Sequence, residues 1–482
     1  MDHINQDISE LFAGYHSAPI LSINKIPQSG SIRIYYRIHT AEQSYIATYG
    51  INIKENQSFI RFSRHFKLKG CPVPEILAVN TEGTLYIQED FGDISLLNKL
   101  EQCGPDDEVY QLFRKTLKAL AHLQIQGDKG LDYENWTLTS SEFGKQAILS
   151  DLLYFKYYFL DTLQLPYDKE KLIADFESFS AELGNTEHKY FMFRDFQSRN
   201  IMIENDQVHF IDYQGGMKGA LQYDVASMLW QAKAELNEAW KQGLLEYYMD
   251  CVEEELGAPF NKKQFVQQYR GYVLIRLMQV LGAYGFRGLF ERKAHFLVSI
   301  PLGLKNLRTF LRQYNMGKNV PEFERMLNLI VEDQIISRFI PARADADTRL
   351  VVHINSFSYK KSIPPDPGDN GGGFVFDCRA ILNPGRIEEF KTQTGRDKGV
   401  KDFLEQQTKM PEYLNSVFDL VDISVEDYIN RGFESLMVNF GCTGGQHRSV
   451  YAADSLARHL KNKFGVNVDL HHIEQEAKNW IN

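Results

Sequence analysis

The fold of this chain is decided by the stretch Phe193-Arg194-Asp195-Phe196-Gln197-Ser198-Arg199-Asn200 and, after a short apolar run, by Phe210-Ile211-Asp212-Tyr213-Gln214. Phosphoryl transfer needs one carboxylate to orient the attacking hydroxyl, and oxygen ligands to hold magnesium against the nucleotide phosphates. Asp195 fits the first requirement, and Asn200 with Asp212 fits the second. The spacing of these three side chains predicts a kinase-like site that uses ATP and Mg²⁺.

The residues between Asn200 and Asp212 read as a β-hairpin. The segments 201–203 and 208–211 are apolar and rich in strand formers, and Glu204-Asn205-Asp206-Gln207 between them supplies turn residues. A tight hairpin would bring its two flanking residues close together, so both could face one ion. The alternative is a helix cap or an ordinary turn, because Asp and Asn are common in both.

Residues 193–229 resemble the aminoglycoside phosphotransferase-like kinases, and especially their amino-sugar (AmgK-like) branch. That branch phosphorylates the anomeric hydroxyl of N-acetylmuramate or N-acetylglucosamine in cell-wall recycling. The matching words are R-D-F-Q-S-R-N from Arg194, I-D-Y-Q from Ile211 and Y-D-V-A-S-M-L from Tyr223. The resemblance implies that Asp195 is the catalytic base and that Asn200 and Asp212 are magnesium ligands. It also implies that Arg199 and Asp224 support the catalytic loop.

Two positions depart from this family. Phe193 stands where the family usually has histidine, and Thr48 stands where kinase folds carry a strand lysine that pairs with nucleotide phosphates. Lys54 and Arg61 are the nearby candidates to replace that lysine. The departures keep open a second hypothesis, in which a weak or inactive kinase fold acts as a metabolite-sensing or RNA-binding adaptor.

Residues 1–91 are predicted to form a small β-rich lobe. The segment 26–31, with Ser29 and Gly30, lies where a phosphate-covering loop belongs, although a plain hairpin turn explains it nearly as well. Segments 32–39 and 44–49 read as paired strands, and 57–68 reads as a helix. Residues 84–92 read as the last strand and the hinge that holds adenine in related kinases, which makes Gln88, Glu89 and Phe91 further nucleotide-binding candidates.

Residues 92–340 are predicted to form a mainly helical large lobe. Apolar residues recur at helical spacing after the hinge. The predicted helices include 148–163, 227–255, 263–283 and 294–313.

Composition limits the class of protein. The chain has 482 residues and a formal net charge of -10, which argues against generic binding to nucleic acid or anionic membranes. We find no apolar run of the roughly 18 to 20 residues that span a bilayer, and the first residues do not read as a secretory signal. Five scattered cysteines without a C-x-x-C pair suit a reduced compartment, so we expect a cytoplasmic protein.

A separate α/β domain is predicted at residues 348–482, after a boundary near residues 341–347. An apolar strand at 436–440 runs into Gly441-Cys442-Thr443-Gly444-Gly445-Gln446-His447-Arg448-Ser449, and a helical pattern follows from Val450. A strand, a glycine-containing loop and a helix start form an anion cradle, to which an arginine can add a bidentate contact. The alternative is a tight strand-to-helix turn with no ligand.

This domain resembles the carboxy-terminal domain of RapZ proteins. The matching words are S-F-S-Y-K from Ser356, F-D-C-R from Phe376, Asn383-Pro384, and the run from Gly441 to Tyr451. The resemblance implies a site for a phosphorylated amino sugar made by Asp377, Arg379, Cys442, Thr443, Gly444, Gly445, His447 and Arg448. Some members also bind small regulatory RNA through a basic tail, but residues 476–482 here are not basic, so RNA binding is an alternative that the tail does not favour.

The spacing of Cys442 and Arg448 also allows a cysteine phosphatase, in which a thiolate at a helix start attacks phosphorus. Those enzymes usually have histidine before the cysteine, and this chain has Gly441.

We therefore predict a protein-kinase-like two-lobe α+β fold followed by a RapZ C-terminal-like α/β domain. The predicted activity is ATP- and Mg²⁺-dependent phosphorylation of an amino sugar, with a phosphosugar as the effector of the last domain. No membrane partner is expected, and oligomerisation is left open.

Overall fold

The structure is a computed structural model, and it describes residues 2–26, 33–291, 294–314, 320–366, 368 and 372–478. The chain divides into two compact units. The first comprises Met1–Phe286 with Ser299–Ile335, and the second comprises Arg287–Val298 with Ile336–Asn482. The predicted fold class, a kinase-like two-lobe fold followed by a separate α/β domain, is confirmed.

The amino-terminal part of the first unit is a five-stranded antiparallel sheet with the strand order β1-β2-β3-β5-β4. Its elements are the helix α1 (Asp2–Tyr15), the strands β1 (Ser22–Lys25), β2 (Ile34–His39) and β3 (Ser44–Tyr49), the helix α2 (Ile53–Leu68), and the strands β4 (Ile76–Val79) and β5 (Leu85–Glu89). The predicted strand pair is confirmed, because β2 and β3 pair in the register Tyr35↔Thr48.

Helix α2 begins four residues before its predicted start at residue 57. The Asn52 side chain accepts a hydrogen bond from the Glu55 backbone N–H, and this cap starts the helix at Ile53. The earlier start places Glu55 in the first turn of α2, beside the sheet. Phe59, Phe62 and Phe66 line the buried face of the helix.

The rest of the first unit is mainly helical. Its helices up to residue 284 are α3 (Leu96–Cys103), α4 (Asp107–Asp128), α5 (Tyr133–Trp136), α6 (Lys145–Tyr158), α7 (Lys169–Gly184), α8 (Leu221–Leu229), α9 (Glu238–Leu256) and α10 (Lys262–Tyr284). After α10 come α11 (Ala294–Leu297, in the second unit), α12 (Ile300–Gln313), α13 (Pro321–Ile330) and α14 (Asp333–Ile336). 3₁₀ turns cover Leu160–Leu163, Ser198–Asn200 and Ala232–Ala234. A π-helical segment at Gly285–Phe290 lies partly in the second unit, and a 3₁₀ turn at Ser337–Phe339 lies wholly in it.

Two predicted helices are interrupted. The prediction of one helix over 227–255 is wrong, because α8 ends at Leu229 and α9 starts after Asn237, whose side chain caps the Trp240 backbone N–H. The prediction over 294–313 is also wrong, because the main helix there begins at Ile300, with Pro301 in its first turn. Apolar spacing alone does not reveal such local caps.

Two small two-stranded antiparallel sheets flank the sequence around Asp195 and Asp212. The strand β6 (Lys189–Met192) pairs with β9 (Met217–Ala220), and β7 (Ile201–Glu204) pairs with β8 (Gln207–Phe210). Asn205 and Asp206, between β7 and β8, have φ values of 49° and 59°. Two consecutive positive φ angles are those of a type I′ turn, which favours Asn and Asp and matches the twist of a two-strand hairpin. The predicted hairpin is therefore present where the sequence placed it.

The segment Lys262–Phe290 is long and apolar enough to cross a membrane, judged by length and composition alone. The same test is passed by the core helix of a globular domain. Twelve residues of α10, among them Tyr272, Val273 and Ile275, are buried inside the first unit. This segment is thus weak evidence for a membrane span.

The second unit contains a four-stranded parallel sheet with the strand order β11-β12-β10-β13. Its elements are β10 (Val351–Ser358), β11 (Gly373–Asp377), α15 (Lys398–Gln407), α16 (Met410–Arg431), β12 (Ser435–Cys442), α17 (Arg448–Phe464), β13 (Asn467–His472) and α18 (Ile473–Glu476). Three 3₁₀ turns at Cys378–Ala380, Pro384–Arg386 and Glu388–Phe390 follow β11. The core lies between the sheet and α15–α17, and the two central strands, β10 and β12, are mostly buried.

Candidate active site

A cavity of about 390 Å³ lies in the first unit, between the five-stranded sheet and the β7–β8 hairpin. Its wall combines the ends of the hairpin, the end of β5 and the start of β2. The lining residues are Ile26, Arg33, Tyr35, Arg37, Ile46, Phe59, Tyr86, Gln88, Glu89, Asp90, Phe91, Gly92, Asp93, Arg199, Asn200, Met202, Ile211 and Asp212. A cavity of this size, with several polar and charged groups, fits a small-molecule ligand.

The hairpin brings Asn200 and Asp212 to the same wall of this cavity. The Ile211 backbone N–H donates to the Asn200 carbonyl oxygen at 3.1 Å, which closes the base of the hairpin. The Asn200 Nδ2 group donates to the Asp195 carbonyl oxygen at 2.9 Å. The amide therefore fixes the catalytic loop through its nitrogen, and its oxygen remains as the candidate ligand.

The carboxylate of Asp195 faces a buried arginine. Arg276 of α10 places Nη1 at 3.3 Å from Asp195 Oδ1, and the Arg276 side chain is only 4% exposed. Burial raises the pKa of Asp195, but the positive charges of Arg276, Arg194 and Arg199 outweigh burial and hold its pKa below the ordinary value. Asp195 is consequently ionised at neutral pH. Sequence reasoning assigned no role to Arg276, although a charged residue in an apolar stretch was a usable signal.

Asp224 holds the backbone of the catalytic loop. Its carboxylate accepts hydrogen bonds from the backbone N–H groups of Phe193 at 2.7 Å and Arg194 at 3.0 Å, and from Gln124 Nε2 at 3.0 Å. Burial raises the pKa of Asp224 to about 7, against the opposing effect of these donors and of Arg276. Asp224 therefore contacts the backbone of the two residues directly before Asp195.

Arg194 is a second support that the sequence did not single out. It has a φ of 82°, an uncommon backbone conformation for a non-glycine residue. Its Nη2 donates to Asp151 Oδ1 at 2.7 Å, and its guanidinium lies 4.6 Å from the centroid of the Phe143 ring. These contacts hold the strained residue in place directly before Asp195.

Phe193, at the usual histidine position, is fully buried. Its ring packs edge-on against Phe196, Phe210 and Tyr213 at centroid distances of 5.1, 6.2 and 5.8 Å. Aromatic packing anchors the loop at this position, which explains how it forms without a histidine hydrogen bond.

Arg199 does not occupy the supporting place implied for it. Its side chain is exposed and lines the cavity next to Asn200. The loop is supported instead by Asp224, Arg194 and Arg276, all of which have buried contacts on its inner side.

The residues present fit a magnesium ion. The two hydrogen bonds that the described residues give to Asp212, from Arg33 Nη2 and Gln214 Nε2, both fall on Oδ1 at 2.9 Å. Within the described ranges no group of three or more His, Cys, Asp or Glu side chains is arranged to hold a metal. One carboxylate and one amide oxygen nevertheless suit Mg²⁺, which usually takes only one or two protein ligands and completes its shell with water and phosphate.

The predicted hinge residues lie at the cavity, in different environments. Gln88 is buried with an Oε1 atom that has no hydrogen-bond partner among the described residues. Glu89 is engaged by Lys67 Nζ at 2.7 Å and by the Glu75 backbone N–H at 2.9 Å. Phe91 stacks on His209 with ring centroids 3.9 Å apart. Ser29 and Gly30, the two phosphate-loop candidates, lie outside the described residues.

Lys54 and Arg61 do not line the cavity. Lys54 Nζ donates to the Leu138 carbonyl oxygen at 2.8 Å, and Arg61 Nη1 donates to the Asn135 carbonyl oxygen at 2.9 Å. The cavity instead contains Arg33, a residue that sequence reasoning missed. It precedes β2, and no local pattern marks it.

The glycine loop of the second unit joins β12 to α17 as predicted. Gly445 has a φ of 65°, and a Cβ atom there would lie 2.3 Å from Glu474 Cγ, so glycine is required. The Gly445 backbone N–H donates to Cys442 Sγ at 3.1 Å, and Ser358 Oγ donates to the Thr443 carbonyl oxygen at 2.7 Å. Thr443 and Gly444 are exposed at the loop tip.

The other predicted anion-site residues divide into two groups. Arg448 and His447 are buried: Arg448 Nη1 donates to the carbonyl oxygens of Arg379 and Ile381 at 3.1 and 2.7 Å, and His447 Nε2 contacts the Phe390 carbonyl oxygen at 2.9 Å. Burial lowers the pKa of His447, so the ring is neutral near pH 7. Asp377 and Arg379 instead form an exposed, bidentate pair, with Arg379 over the Tyr359 ring at 4.1 Å.

The cysteine phosphatase alternative finds little support in this geometry. Cys442 is buried, with its Sγ 3.2 Å from Ser449 Oγ, and Arg448 directs Nη1 at main-chain carbonyls.

Comparison with known proteins agrees with both units. A family profile described as "Phosphotransferase enzyme family" matches residues 25–257, and one described as "RapZ C-terminal domain" matches residues 350–476. A nucleotide-binding protein of Fervidobacterium nodosum is 38% identical over 130 residues, which are 27% of this chain and 44% of that protein. One from Fusobacterium nucleatum is 31% identical over 212 residues, which are 42% of this chain and 69% of that protein. The chain thus spans about half the length of the curated relatives it matches.

Among solved structures, the choline kinase LicA of Streptococcus pneumoniae aligns with a TM-score of 0.43 and 15% identity, over 64% of this chain and 99% of LicA. The amicoumacin kinase hAmiN, in complex with AMP-PNP and Ca²⁺, aligns with a TM-score of 0.45 and 11% identity, over 69% of this chain and 93% of hAmiN. The family assignment is carried by the two profiles. Residues 25–257 thus match the phosphotransferase enzyme family, and residues 350–476 match the RapZ C-terminal domain.

Proposed function

We propose that the protein transfers the γ-phosphoryl group of ATP to an amino sugar, at the anomeric hydroxyl of N-acetylmuramate or N-acetylglucosamine. The observation that supports this proposal most directly is that Asn200 and Asp212 line the same cavity, and that the Asn200 side chain donates a hydrogen bond to the Asp195 carbonyl oxygen. The amino-sugar acceptor rests on the words that resemble the AmgK-like branch. We also propose that the enzyme is cytoplasmic and acts in cell-wall recycling.

Each residue has a defined task in this proposal. Asp195 accepts a hydrogen bond from the attacking hydroxyl and takes its proton as the bond to phosphorus forms. Its low pKa makes it a weak base, which suffices because phosphoryl transfer has a loose transition state that depends more on positioning and charge than on deprotonation. Asn200 and Asp212 supply oxygen ligands. Magnesium, when bound there, would neutralise charge on the nucleotide phosphates.

Catalysis would therefore depend mainly on how firmly the loop is positioned. The Asp224 hydrogen bonds to the backbone of Phe193 and Arg194 fix the two residues before Asp195. Arg276 fixes the carboxylate itself. Groups that are already held in position lower the activation free energy of phosphoryl transfer, because they do not have to reorganise in the transition state.

For the RapZ C-terminal domain, the proposal is that it binds a phosphorylated amino sugar, such as the product of the reaction, and regulates the kinase. The exposed tip at Thr443 and Gly444, and the exposed side chain of Arg379, support this part.

The test is direct. The full chain is incubated with ATP, Mg²⁺ and a panel of amino sugars, and products are detected by a mass increase of one phosphoryl group. Asp195→Asn should reduce the rate by at least about 100-fold, in the range typical of a lost general base. Arg61→Met, which changes a residue outside the cavity, is the matched control. Absence of product from every sugar, or equal rates for wild type and Asp195→Asn, would refute the proposal.

A further inference from the structure

The strand lysine that kinases use to contact the nucleotide phosphates is absent from this chain. In protein kinases a lysine of the third strand contacts the nucleotide phosphates and pairs with a glutamate of the following helix. The corresponding strand position here, in β3, is Thr48, which is fully buried and uncharged. A cation from elsewhere in the fold would have to take over the phosphate contact.

Arg33 makes two ion pairs at the cavity, one of them with a glutamate of the helix that follows β3. Its Nη2 lies 2.9 Å from Asp212 Oδ1, and its Nε lies 3.4 Å from Glu55 Oε1. Glu55 lies in the first turn of α2, the helix that follows β3. The guanidinium thus joins the helix carboxylate to the candidate metal ligand, at the cavity wall.

The surroundings of Arg33 are shaped around its side chain. A Cβ atom at Gly50 would lie 3.1 Å from Arg33 Cγ, so a larger residue there would crowd the arginine. The guanidinium also lies 5.6 Å from the centroid of the Tyr35 ring and 5.9 Å from that of Phe59. These contacts limit the side chain to one direction, as a pre-organised anion site requires.

The other cavity arginines are less suited. Arg37 is already engaged by Asp90 at 2.6 and 3.1 Å, by Asp93 at 2.7 and 2.9 Å, and by the Gly92 carbonyl oxygen at 3.2 Å. Arg199 is exposed and lines the cavity beside Asn200. Arg33 alone among these three pairs with both Glu55 and Asp212.

We propose that Arg33 binds the phosphates of the nucleotide and replaces the strand lysine that this chain lacks. The assignment rests on the proposed phosphotransferase function, and it explains how a fold with Thr48 retains a nucleotide site. The proposed cation precedes β2 rather than lying on β3, and it pairs with Glu55 of the helix that follows β3.

The experiment measures equilibrium binding of ATP and of adenosine to the full chain by calorimetry, with Mg²⁺ and without any acceptor sugar. Arg33→Met should weaken ATP binding by roughly 10- to 150-fold, the range for a hydrogen bond to a charged group, and should leave adenosine binding within about twofold of wild type. Arg61→Met is the matched control, since it removes an arginine whose Nη1 contacts a backbone carbonyl away from the cavity. Arg199→Met tests the rival cation.

Unchanged ATP affinity in a folded Arg33→Met variant overturns the assignment, as does a selective loss of ATP binding in Arg199→Met alone. If Arg33→Met does not fold, the double variant Arg33→Met/Glu55→Met is used in its place. Its ATP affinity is compared with that of the single variant Glu55→Met. The double variant removes Glu55 together with Arg33 and so leaves fewer unpaired buried charges. Binding is measured without an acceptor, so failure of every amino sugar as substrate would refute the proposed function and leave this result standing. An active enzyme with unchanged ATP affinity in Arg33→Met would refute only the present inference.

Discussion

Removing the positive charge of Arg276 should change the pH at which the enzyme loses activity in acid. Arg276 and Asp195 approach to 3.3 Å, and Arg276 is one of three arginines that hold the pKa of Asp195 below its ordinary value. In Arg276→Met, burial is opposed only by Arg194 and Arg199, so the pKa of Asp195 should rise. The variant keeps a side chain of similar length, which limits the cavity that it creates.

The size of this shift follows from the geometry. Coulomb's law at an effective dielectric constant of about 20 gives an upper bound of about 5 kcal/mol for charges at this separation. The Asp195 side chain is 45% exposed, so solvent screens the pair, and the range of about 1.5–3 kcal/mol for a hydrogen bond to a charged group is more realistic. At 1.36 kcal/mol per unit, the pKa of Asp195 should rise by about 1 to 2 units.

The assay is the pH dependence of kcat/KM for sugar phosphorylation between pH 4.5 and 8.5. Because the pKa of Asp195 is low in the wild type, this carboxylate should cause no loss of rate above about pH 5. In Arg276→Met the acid limb should move to higher pH by about 1 to 2 units, whereas Arg276→Lys, which keeps the charge, should move it less. A uniform loss of rate at every pH, with no displaced limb, would refute the electrostatic role of Arg276 and leave it a packing role.

Three further predictions concern stability and ligand binding. The pKa of Asp224 is about 7 when folded and lower when unfolded, so its protonation stabilises the fold fully below about pH 4, and this contribution is lost as pH rises through 7. The free energy of unfolding in urea should therefore fall in the wild type, relative to Asp224→Asn, by about 1.4 kcal/mol for each unit that the pH rises between those limits. A difference between the two proteins that does not change with pH would contradict the raised pKa. Asp206→Val, at a φ of 59°, should lower the free energy of unfolding by about 1–2 kcal/mol, while Asp206→Gly should not, as thermal or urea denaturation would reveal. Arg379→Ala should weaken calorimetric binding of N-acetylglucosamine 1-phosphate without changing Tm, whereas Arg448→Ala should lower Tm because the Ile381 carbonyl loses its 2.7 Å donor; the reverse pattern would make Arg448 the anion ligand.

Much of the catalytic centre was predictable because its geometry is local. Asn200 and Asp212 are joined by one hairpin, and the Asn-Asp turn that closes it has a single favoured conformation. The strand–loop–helix around Gly445 was predictable for the same reason, since a positive φ at a tight turn requires glycine. Helix boundaries were less predictable, because caps such as Asn237 interrupt an apolar pattern that otherwise continues.

By itself, the sequence of this protein determined the two-lobe kinase class, the carboxylate and amide of the candidate metal site, and the separate glycine-loop domain. Only the tertiary structure decided which arginines form ion pairs with the site carboxylates. Arg33 is 179 positions from Asp212 along the chain, and Arg276 reaches Asp195 from a helix of the large lobe. A charge acts through space with an energy set by distance and burial rather than by sequence separation, so no motif reports it until the chain has folded.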